Sequence, residues 1–184
     1  RNVFVHPYFF GFTSSDLALP IWHNKEVGKT AIKLGANPDD YTKMFDLLPE
    51  DSGSVINTSE PVLIMIMLTL ANIKANSTVL EVGSGCGYLT ALASRIASKG
   101  MVYGLEKNPK LAKFSQEIFQ GVENISIEHG DALLGLPQQV EYDSIIVSAS
   151  ATKEMAEAFA GRLKIGGSLV APIKSGTPEE IAQG

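Results

Sequence analysis

The chain has 184 residues, a formal net charge of −5 and a hydrophobic content of 45%. This length suits one domain with a full core, and the acidic balance offers no electrostatic footprint for nucleic acid. The single cysteine, Cys86, excludes an internal disulfide framework and favours the cytosol. Nothing at the N-terminus resembles a signal peptide, and the most apolar stretch, Val62–Ala71, is too short to span a bilayer. We therefore expect a soluble, cytoplasmic protein without a membrane or nucleic-acid partner, in which this stretch forms a buried helix.

Apolar strands alternate with amphipathic helices along most of the chain after the N-terminal third. Segments dense in Val, Ile and Leu predict five strands, at 78–82, 101–106, 124–129, 143–149 and 168–173. Helical periodicity predicts three helices between them, at 88–98, 109–120 and 153–163. Asn108 is suited to cap the second helix and Pro109 to open it, while Gly166 and Gly167 should stop the third. The alternation predicts an α/β fold with a doubly wound, mostly parallel sheet.

The turn between the first of these strands and its helix is rich in glycine. Glu81 is followed by Gly83, Gly85 and Gly87 at alternate positions. Glycines allow a tight turn and a close backbone approach to a ligand, and the helix N-terminus beyond them presents unpaired N–H groups. The spacing Glu-x-Gly-x-Gly-x-Gly differs from the Gly-x-Gly-x-x-Gly pattern of nicotinamide binders. It resembles the first motif of the class I S-adenosylmethionine-dependent methyltransferases, which have a Rossmann-like fold.

Further ligand groups are expected at the carboxyl ends of the strands. Glu106 ends the second strand, where a carboxylate can accept both hydroxyls of a ribose. Asp131 follows the third strand and can accept from an adenine amino group, with Ala132 N–H donating to the ring; an Asx turn or a helix cap is the alternative for Asp131. Glu81 is expected to face loop N–H groups or the amino-acid end of the cofactor, and Cys86 to fill the loop rather than act as a nucleophile. The predicted cofactor-binding residues are Glu81, Gly83, Ser84, Gly85, Gly87, Glu106, Lys107, Asp131 and Ala132.

The stretch from Val79 to Ile173 resembles one family in particular, the protein-L-isoaspartate O-methyltransferases. Its matching pieces lie at 82–91 (Val-Gly-Ser-Gly-Cys-Gly-Tyr-Leu-Thr-Ala), 130–131, 142–147, 163–167 and 169–173. Upstream, Arg1–Val5 looks like that family's Arg-x-x-Phe-Val segment, and Asn57–Pro61 looks like its Thr-Ile-Ser-x-Pro segment. Many methyltransferases share the glycine loop. The combination of Ser-x-Pro before an apolar helix with the stretch 142–173 is much more specific.

The resemblance implies that a methyl group passes from S-adenosylmethionine to the free α-carboxylate of an L-isoaspartyl residue in a protein or peptide. The ester then collapses to a succinimide, which opens partly to normal aspartate and so repairs aged proteins. Because the carboxylate is already ionised near neutral pH, positioning and dehydration suffice, and we expect no general base and no metal. By the same resemblance, Ser59 is the residue of the catalytic site that hydrogen-bonds the substrate carboxylate. Capping of the helix that begins at Pro61 is the alternative role of Ser59.

Parts of the chain depart from the family pattern. Where the family has a short, glycine-containing link, this chain carries a longer stretch at 22–56, and Glu60 places an acid beside Ser59. We divide the chain into a substrate-side segment, 1–60, and an S-adenosylmethionine-binding core, 61–184. The chain ends just past the fifth predicted strand, so we expect a sheet without the antiparallel hairpin that this fold normally adds. We also expect a monomer.

Three other functions stay open at this point. A tRNA adenine methyltransferase shares the Gly-x-Gly-x-Gly-Tyr-Leu-Thr pattern, but the acidic balance and the lack of a basic stripe disfavour it. A carboxyl methyltransferase that modifies an aspartate of one specific peptide is the second, with 22–56 as a docking element. The third is a cofactor-binding interaction module with a closed substrate mouth and no activity.

Overall fold

The computed structural model describes residues 20–22, 56–57, 59–136, 140–149 and 151–173. The chain forms two compact units, Arg1–Leu63 and Ile64–Gly184. In the first unit, strand β1 (Pro20–Trp22) pairs antiparallel with strand β2 (Ile56–Asn57). Trp22 lies opposite Ile56 in this pair. The two ends of the atypical stretch 22–56 are therefore held side by side.

The second unit is built on a sheet of five strands. Its elements in chain order are α1 (Pro61–Leu70, beginning at the end of the first unit), β3 (Thr78–Val82), α2 (Tyr88–Ile96), β4 (Met101–Glu106), α3 (Pro109–Ile118), β5 (Ile125–His129), β6 (Tyr142–Val147), α4 (Lys153–Ala160) and β7 (Leu163–Val170). The strand order is β5-β4-β3-β6-β7, and every neighbouring pair is parallel. This is the doubly wound α/β arrangement that the sequence predicts.

The order of the strands determines where a ligand can bind. From β3 the chain moves to β4 and β5 on one side, and it then returns to β6 and β7 on the other side of β3. The order therefore reverses between β3 and β6, and ligands of such sheets bind beyond the carboxyl ends of the strands at this switch point. Val82 and Val147, which end these two strands, lie opposite each other in the register.

Apolar side chains cover both faces of the sheet. On one face, Val79 of β3 and Val102 of β4 pack with residues of α1 and α2. On the other face, Leu80 of β3 and Ile145 of β6 pack with Phe159 of α4. Successive residues of a strand point to opposite faces, so a strand covered on both sides needs a continuous apolar run. This burial explains the density of Val and Ile that predicts the strands.

Helix α1 is buried on one side. Ile64, Met67 and Leu68 are buried, whereas Met65 and Ile66 between them are exposed. The expectation of a buried helix is therefore correct for one face of α1 and wrong for the other. In a helix whose residues are nearly all apolar, the sequence does not show the spacing of three and four residues that normally marks the packed side. Within the described ranges, no helix is long and apolar enough to cross a membrane.

The predicted elements agree with the observed ones except near the last strand. Asn108 caps α3 as predicted, since its Oδ1 accepts from the N–H groups of Lys110 and Leu111. All three predicted helices end less than one turn earlier than expected. Strand β7, however, already begins at Leu163, so Gly166 lies within a strand instead of ending a helix. Gly166 has a φ of +81°, and the pairing of β6 with β7 shifts register here, as at a β-bulge.

Candidate functional site

The loop between β3 and α2 has the backbone geometry that its glycines predict. Gly83, Gly85 and Gly87 have φ angles of +78°, +55° and +83°, which L side chains rarely adopt. The loop is attached to the neighbouring strand, because Gly83 N and Ser84 N both donate to Leu105 O, at 2.8 and 3.1 Å. The turn therefore presents bare backbone at the carboxyl edge of the sheet, next to the switch point.

Glu106, the last residue of β4, directs its carboxylate into this loop. Its Oε2 accepts from Gly85 N at 2.7 Å, and its Oε1 accepts from Asn108 N at 2.7 Å. The residue is only 8% exposed, and each carboxylate oxygen keeps a further lone pair. Two backbone amides thus hold the carboxylate in one orientation, at the strand end where the sequence predicts contact with a ribose.

Glu81 is buried at the base of the same loop and has different partners. Its Oε2 accepts from the hydroxyl of Thr90 on α2, and its Oε1 accepts from Ser148 Oγ at 2.6 Å. Burial raises the pKa of Glu81 to about 7; hydrogen bonds from Ser148 and Thr90 oppose this shift, and the charge of Glu106 adds to it. The described hydrogen bonds of Glu81 thus come from α2 and from the residue after β6, and its contact with the amino-acid end of the cofactor stays a prediction.

The two residues predicted to meet an adenine ring, Asp131 and Ala132, follow β5, and Lys107 follows β4. Lys107 Nζ forms an ion pair with Asp131 Oδ2 at 2.8 Å, and this contact lowers the pKa of Asp131. Asp131 Oδ1 accepts from Leu133 N at 3.0 Å, which is the Asx turn that the sequence also allows. His129 Nε2 lies 3.1 Å from Lys107 O and so connects the two strand ends. Ala132 packs against the apolar core on the α4 face of the sheet.

Ser84 contributes a buried hydroxyl to the loop. Its side chain lies over Gly104 of β4, where an added Cβ would be 3.1 Å from Ser84 Oγ. Ser84 is 5% exposed, and its Oγ has no hydrogen-bond partner in the part of the chain that the structure describes. A buried polar group without a partner typically destabilises a protein by about 1–3 kcal/mol. The place of Ser84 among the cofactor-binding residues stays a prediction.

These features fit a nucleoside-bearing methyl donor. The left-handed glycines permit a close approach to the backbone, and Glu106 supplies acceptors at the neighbouring strand end. Of the nine predicted cofactor-binding residues, seven lie in the glycine loop or at the ends of β4 and β5, while Glu81 is buried at the base of the loop and Ala132 packs against the core. Their part in binding the cofactor stays a prediction. Ser59 is partly buried and lies two residues before α1, within the first unit, so its role stays a prediction. Cys86 is buried in the loop, as expected for a residue that fills space.

Thr90 and Ser148 are contacts that the sequence analysis did not single out. Thr90 lies in the first turn of α2 and is completely buried. A polar side chain that is fully buried normally has a hydrogen-bond partner, which here is Glu81. Ser148 directly follows β6, and its N–H donates to Val82 O at 2.8 Å. For Thr90 the available signal was a hydroxyl in the first turn of the helix that follows the glycine loop. For Ser148 the signal was the pairing of β3 with β6, which composition alone does not give.

Comparisons with known proteins identify the family of this chain. The family model described as protein-L-isoaspartate(D-aspartate) O-methyltransferase matches residues 38–183. The chain belongs to this family. A protein-L-isoaspartate O-methyltransferase from Petrotoga mobilis is 42% identical over 140 residues, which cover 74% of this chain. One from Ralstonia nicotianae is 32% identical over 189 aligned positions, which cover 98% of this chain.

A solved structure of a protein-L-isoaspartate O-methyltransferase has the same fold. It aligns with a TM-score of 0.60 at 24% identity and covers 82% of this chain and 51% of its own. The chain spans 64% of the length of the Petrotoga relative and 51% of the Ralstonia relative. Membership of the isoaspartate methyltransferase family and the fold are therefore established for a chain that is shorter than its relatives.

Proposed function

We propose that this chain transfers a methyl group from S-adenosylmethionine to the free α-carboxylate of L-isoaspartyl residues in proteins or peptides. Family membership supports both the reaction and the class of substrate. The observation that carries the donor site is Glu106, whose carboxylate is fixed beside the left-handed glycine loop at the switch point. The methyl ester collapses to a succinimide that opens partly to normal aspartate, so the activity repairs aged proteins.

The donor-site residues have separate tasks in this proposal. Glu106 accepts the ribose hydroxyls with the lone pairs that Gly85 N and Asn108 N leave free. Asp131 accepts from the adenine amino group, and Ala132 N–H donates to the ring. When bound, the cofactor supplies a methyl group on a positively charged sulfur, which is a good leaving group. The glycine loop gives the ligand close access to the backbone of the α2 N-terminus.

The substrate side of the reaction needs little acid–base chemistry. An α-carboxyl group has a pKa of about 3.3–3.7, so the attacking oxygen is ionised at neutral pH without a general base. The protein then contributes orientation of the two reactants and exclusion of water from the carboxylate. Ser59 is proposed to orient this carboxylate through its hydroxyl.

The substrate range, the cellular location and the oligomeric state are further parts of the proposal. We propose many unrelated isoaspartyl proteins as substrates, a cytoplasmic location and a monomeric state. The formal net charge of −5 supports protein rather than nucleic acid as the partner. The family's printed name supports a protein substrate.

One methyl-transfer assay tests the substrate. Several unrelated peptides are synthesised in L-isoaspartyl and L-aspartyl versions and incubated with the protein and a donor that carries a radiolabelled methyl group. We expect base-labile label in every isoaspartyl peptide and background label in the aspartyl versions. Methylation of normal aspartate in one peptide, with isoaspartyl peptides untouched, would contradict the repair function and favour a peptide-specific carboxyl methyltransferase.

A binding experiment tests the donor site separately. Glu106→Gln removes one charged acceptor while keeping the size of the side chain, so affinity for S-adenosylhomocysteine should fall roughly tenfold or more, as for a hydrogen bond to a charged group. Isothermal calorimetry measures this affinity. Glu117→Gln, an exposed carboxylate on α3, is the matched control and should leave the affinity unchanged. Equal affinity in both variants would remove the donor site from this edge of the sheet.

A further inference from the structure

Three elements meet at the carboxylate of Glu81. Glu81 is on β3, Thr90 is on α2, and Ser148 is the first residue after β6. Both hydroxyls donate to Glu81, the Thr90 hydroxyl to Oε2 and Ser148 Oγ to Oε1, the latter at 2.6 Å. Glu81 is 2% exposed, so water does not compete for these bonds. One carboxylate therefore connects the glycine-loop strand, the helix that follows it and the segment beyond the switch point.

The segment Ser148–Ala149 lies directly against the glycine loop. Ser148 N donates to Val82 O at 2.8 Å, which continues the pairing of β3 with β6 by one residue. A Cβ built on Gly83 would lie 3.0 Å from Ala149 Cβ, so the loop backbone and this segment are in close contact. Ser148 is partly exposed and Ala149 is exposed. The segment thus has one side on the glycine loop and one side exposed.

We infer that Glu81 is a positioning residue that acts through Ser148: it holds the segment Ser148–Ala149 against the glycine loop, and this fixes the substrate side of the site relative to the methyl donor. The inference rests on the proposed function. It assigns Ser148 a role in the transfer step rather than in the affinity for the donor. Ser148 is the connecting residue, because it alone of the two hydroxyl donors lies on the far side of the switch point.

The charge on Glu81 gives this role a distinct signature. Hydrogen bonds donated to a carboxylate are stronger when it is ionised, so the tie to Ser148 is strongest above the pKa of Glu81. Among the described residues, Glu106 at the end of β4 is the charged group that acts on Glu81, while α2 and the segment after β6 face it with the hydroxyls of Thr90 and Ser148. Loss of the Ser148 hydroxyl removes a bond that lowers the pKa of Glu81. The acid limb of the transfer rate against pH should then move to higher pH.

The test compares Ser148→Ala, Ser148→Thr and Glu81→Gln in the full chain. We expect Ser148→Ala to lower kcat with an isoaspartyl peptide by roughly ten- to a hundredfold, since a misplacement of reacting groups by about 1 Å can cost a hundredfold. The Kd for S-adenosylhomocysteine should stay within about twofold of the wild-type value, since no donor contact is assigned to this hydroxyl. Ser148→Thr keeps the hydroxyl and should restore the rate, and Glu81→Gln should remove the acid limb. Ser94→Ala, which deletes another buried hydroxyl that bonds only within α2, is the matched control.

Amide hydrogen exchange at positions 148 and 149 gives a readout that does not need activity. Exchange should become faster in Ser148→Ala and Glu81→Gln and stay at the wild-type rate in Ser148→Thr and Ser94→Ala. Unchanged kcat and unchanged exchange in Ser148→Ala would overturn the inference, and so would equal losses in kcat and donor affinity. A wild-type chain that methylates no isoaspartyl peptide would overturn the proposed function, and the exchange rates would then decide whether Glu81 holds this segment.

Discussion

Lys107 and Asp131 form the most open part of the candidate donor site. Their side chains are 75% and 24% exposed, so water screens the ion pair and it contributes little to stability. Its importance lies in its position across the ends of β4 and β5. Asp131 uses Oδ1 for Leu133 N and Oδ2 for Lys107, yet each oxygen has a second lone pair for a ligand amino group.

Asp131→Ala should change which base the donor site prefers. The wild-type protein should bind S-adenosylhomocysteine more tightly than its inosyl analogue, which has a carbonyl in place of the amino group. The variant should lose this preference by roughly three- to tenfold, the range for one neutral hydrogen bond. Calorimetry with both ligands measures it. Asp131→Asn is the control that keeps an oxygen for the Asx turn. If Asp131→Ala lost the same affinity for both ligands, Asp131 would serve the turn alone.

The sequence predicts which acids lie at this site better than it predicts their partners. Glu81 and Glu106 both stand at the carboxyl end of an apolar run, and both were expected to face a ligand. The register separates them, because Glu81 pairs with Gly104 inside the sheet while Glu106 lies beyond the last pair of β3 and β4. Glu106 therefore reaches the loop amide of Gly85, and Glu81 is covered by α2. Register depends on contacts between distant strands, which composition and spacing do not contain.

Helix α2 begins without a side-chain cap. Its N-cap is Gly87, with a φ of +83° and no side-chain hydrogen bond to the first turn. The ring of Phe119, which follows α3, fills the space where a side chain would be: a Cβ on Gly87 would lie 2.4 Å from it. Glycine is thus needed at this position for two reasons: its backbone conformation and the room that it leaves for the Phe119 ring.

Gly87→Ala should destabilise the second unit more than Gly121→Ala. Both glycines are left-handed, but a Cβ on Gly121 would meet nothing within 4 Å. Gly121→Ala should therefore lose about 1–2 kcal/mol of unfolding free energy from conformation alone. Gly87→Ala should lose about 1–3 kcal/mol more from overpacking against Phe119. Urea unfolding measures both values, and equal losses would show that the ring moves aside at little cost.

Glu81 should make the stability of the sheet depend on pH. Its pKa is about 7 in the folded protein, whereas an unperturbed glutamate has a pKa of 4.5, so between these values the folded state binds a proton that the unfolded state releases. A raised carboxyl pKa stabilises the fold at low pH, and this contribution is lost as the pH rises from 4.5 to 7.

We expect the unfolding free energy of the wild-type protein to fall by on the order of 3 kcal/mol over this interval relative to Glu81→Gln. Urea unfolding at pH 4.5, 6 and 7.5 gives the unfolding free energy of both proteins. Subtracting the value for Glu81→Gln from the wild-type value removes the contribution of the other carboxyl groups. Glu117→Gln, on the exposed side of α3, should run parallel to the wild type. Parallel curves for Glu81→Gln as well would mean that Glu81 ionises freely in the fold.

At the scale of the whole chain, the fold could be predicted and the substrate side could not. The strands of the second unit are buried on both faces, so each strand appears in the sequence as a continuous apolar run, and such a run predicts a strand directly. The start of β7 was missed because Gly166 and Gly167 read as a helix stop, although they form an irregularity within a strand. The predicted substrate-side segment belongs to the first unit, in which β1 and β2 come from positions more than thirty residues apart. Such a pairing leaves no local pattern.

Ser59 belongs to the first unit and the predicted donor-site residues to the second, so a change at Ser59 tests the transfer step separately from donor binding. Ser59→Ala removes a hydroxyl proposed to bond the substrate carboxylate, and a hydrogen bond to a charged group contributes about 1.5–3 kcal/mol. We therefore expect kcat/KM for an isoaspartyl peptide to fall roughly tenfold or more, with the Kd for S-adenosylhomocysteine unchanged. Ser59→Thr keeps the hydroxyl and should retain most of the activity. Full activity in Ser59→Ala, together with a lower Tm, would instead identify Ser59 as the cap of α1.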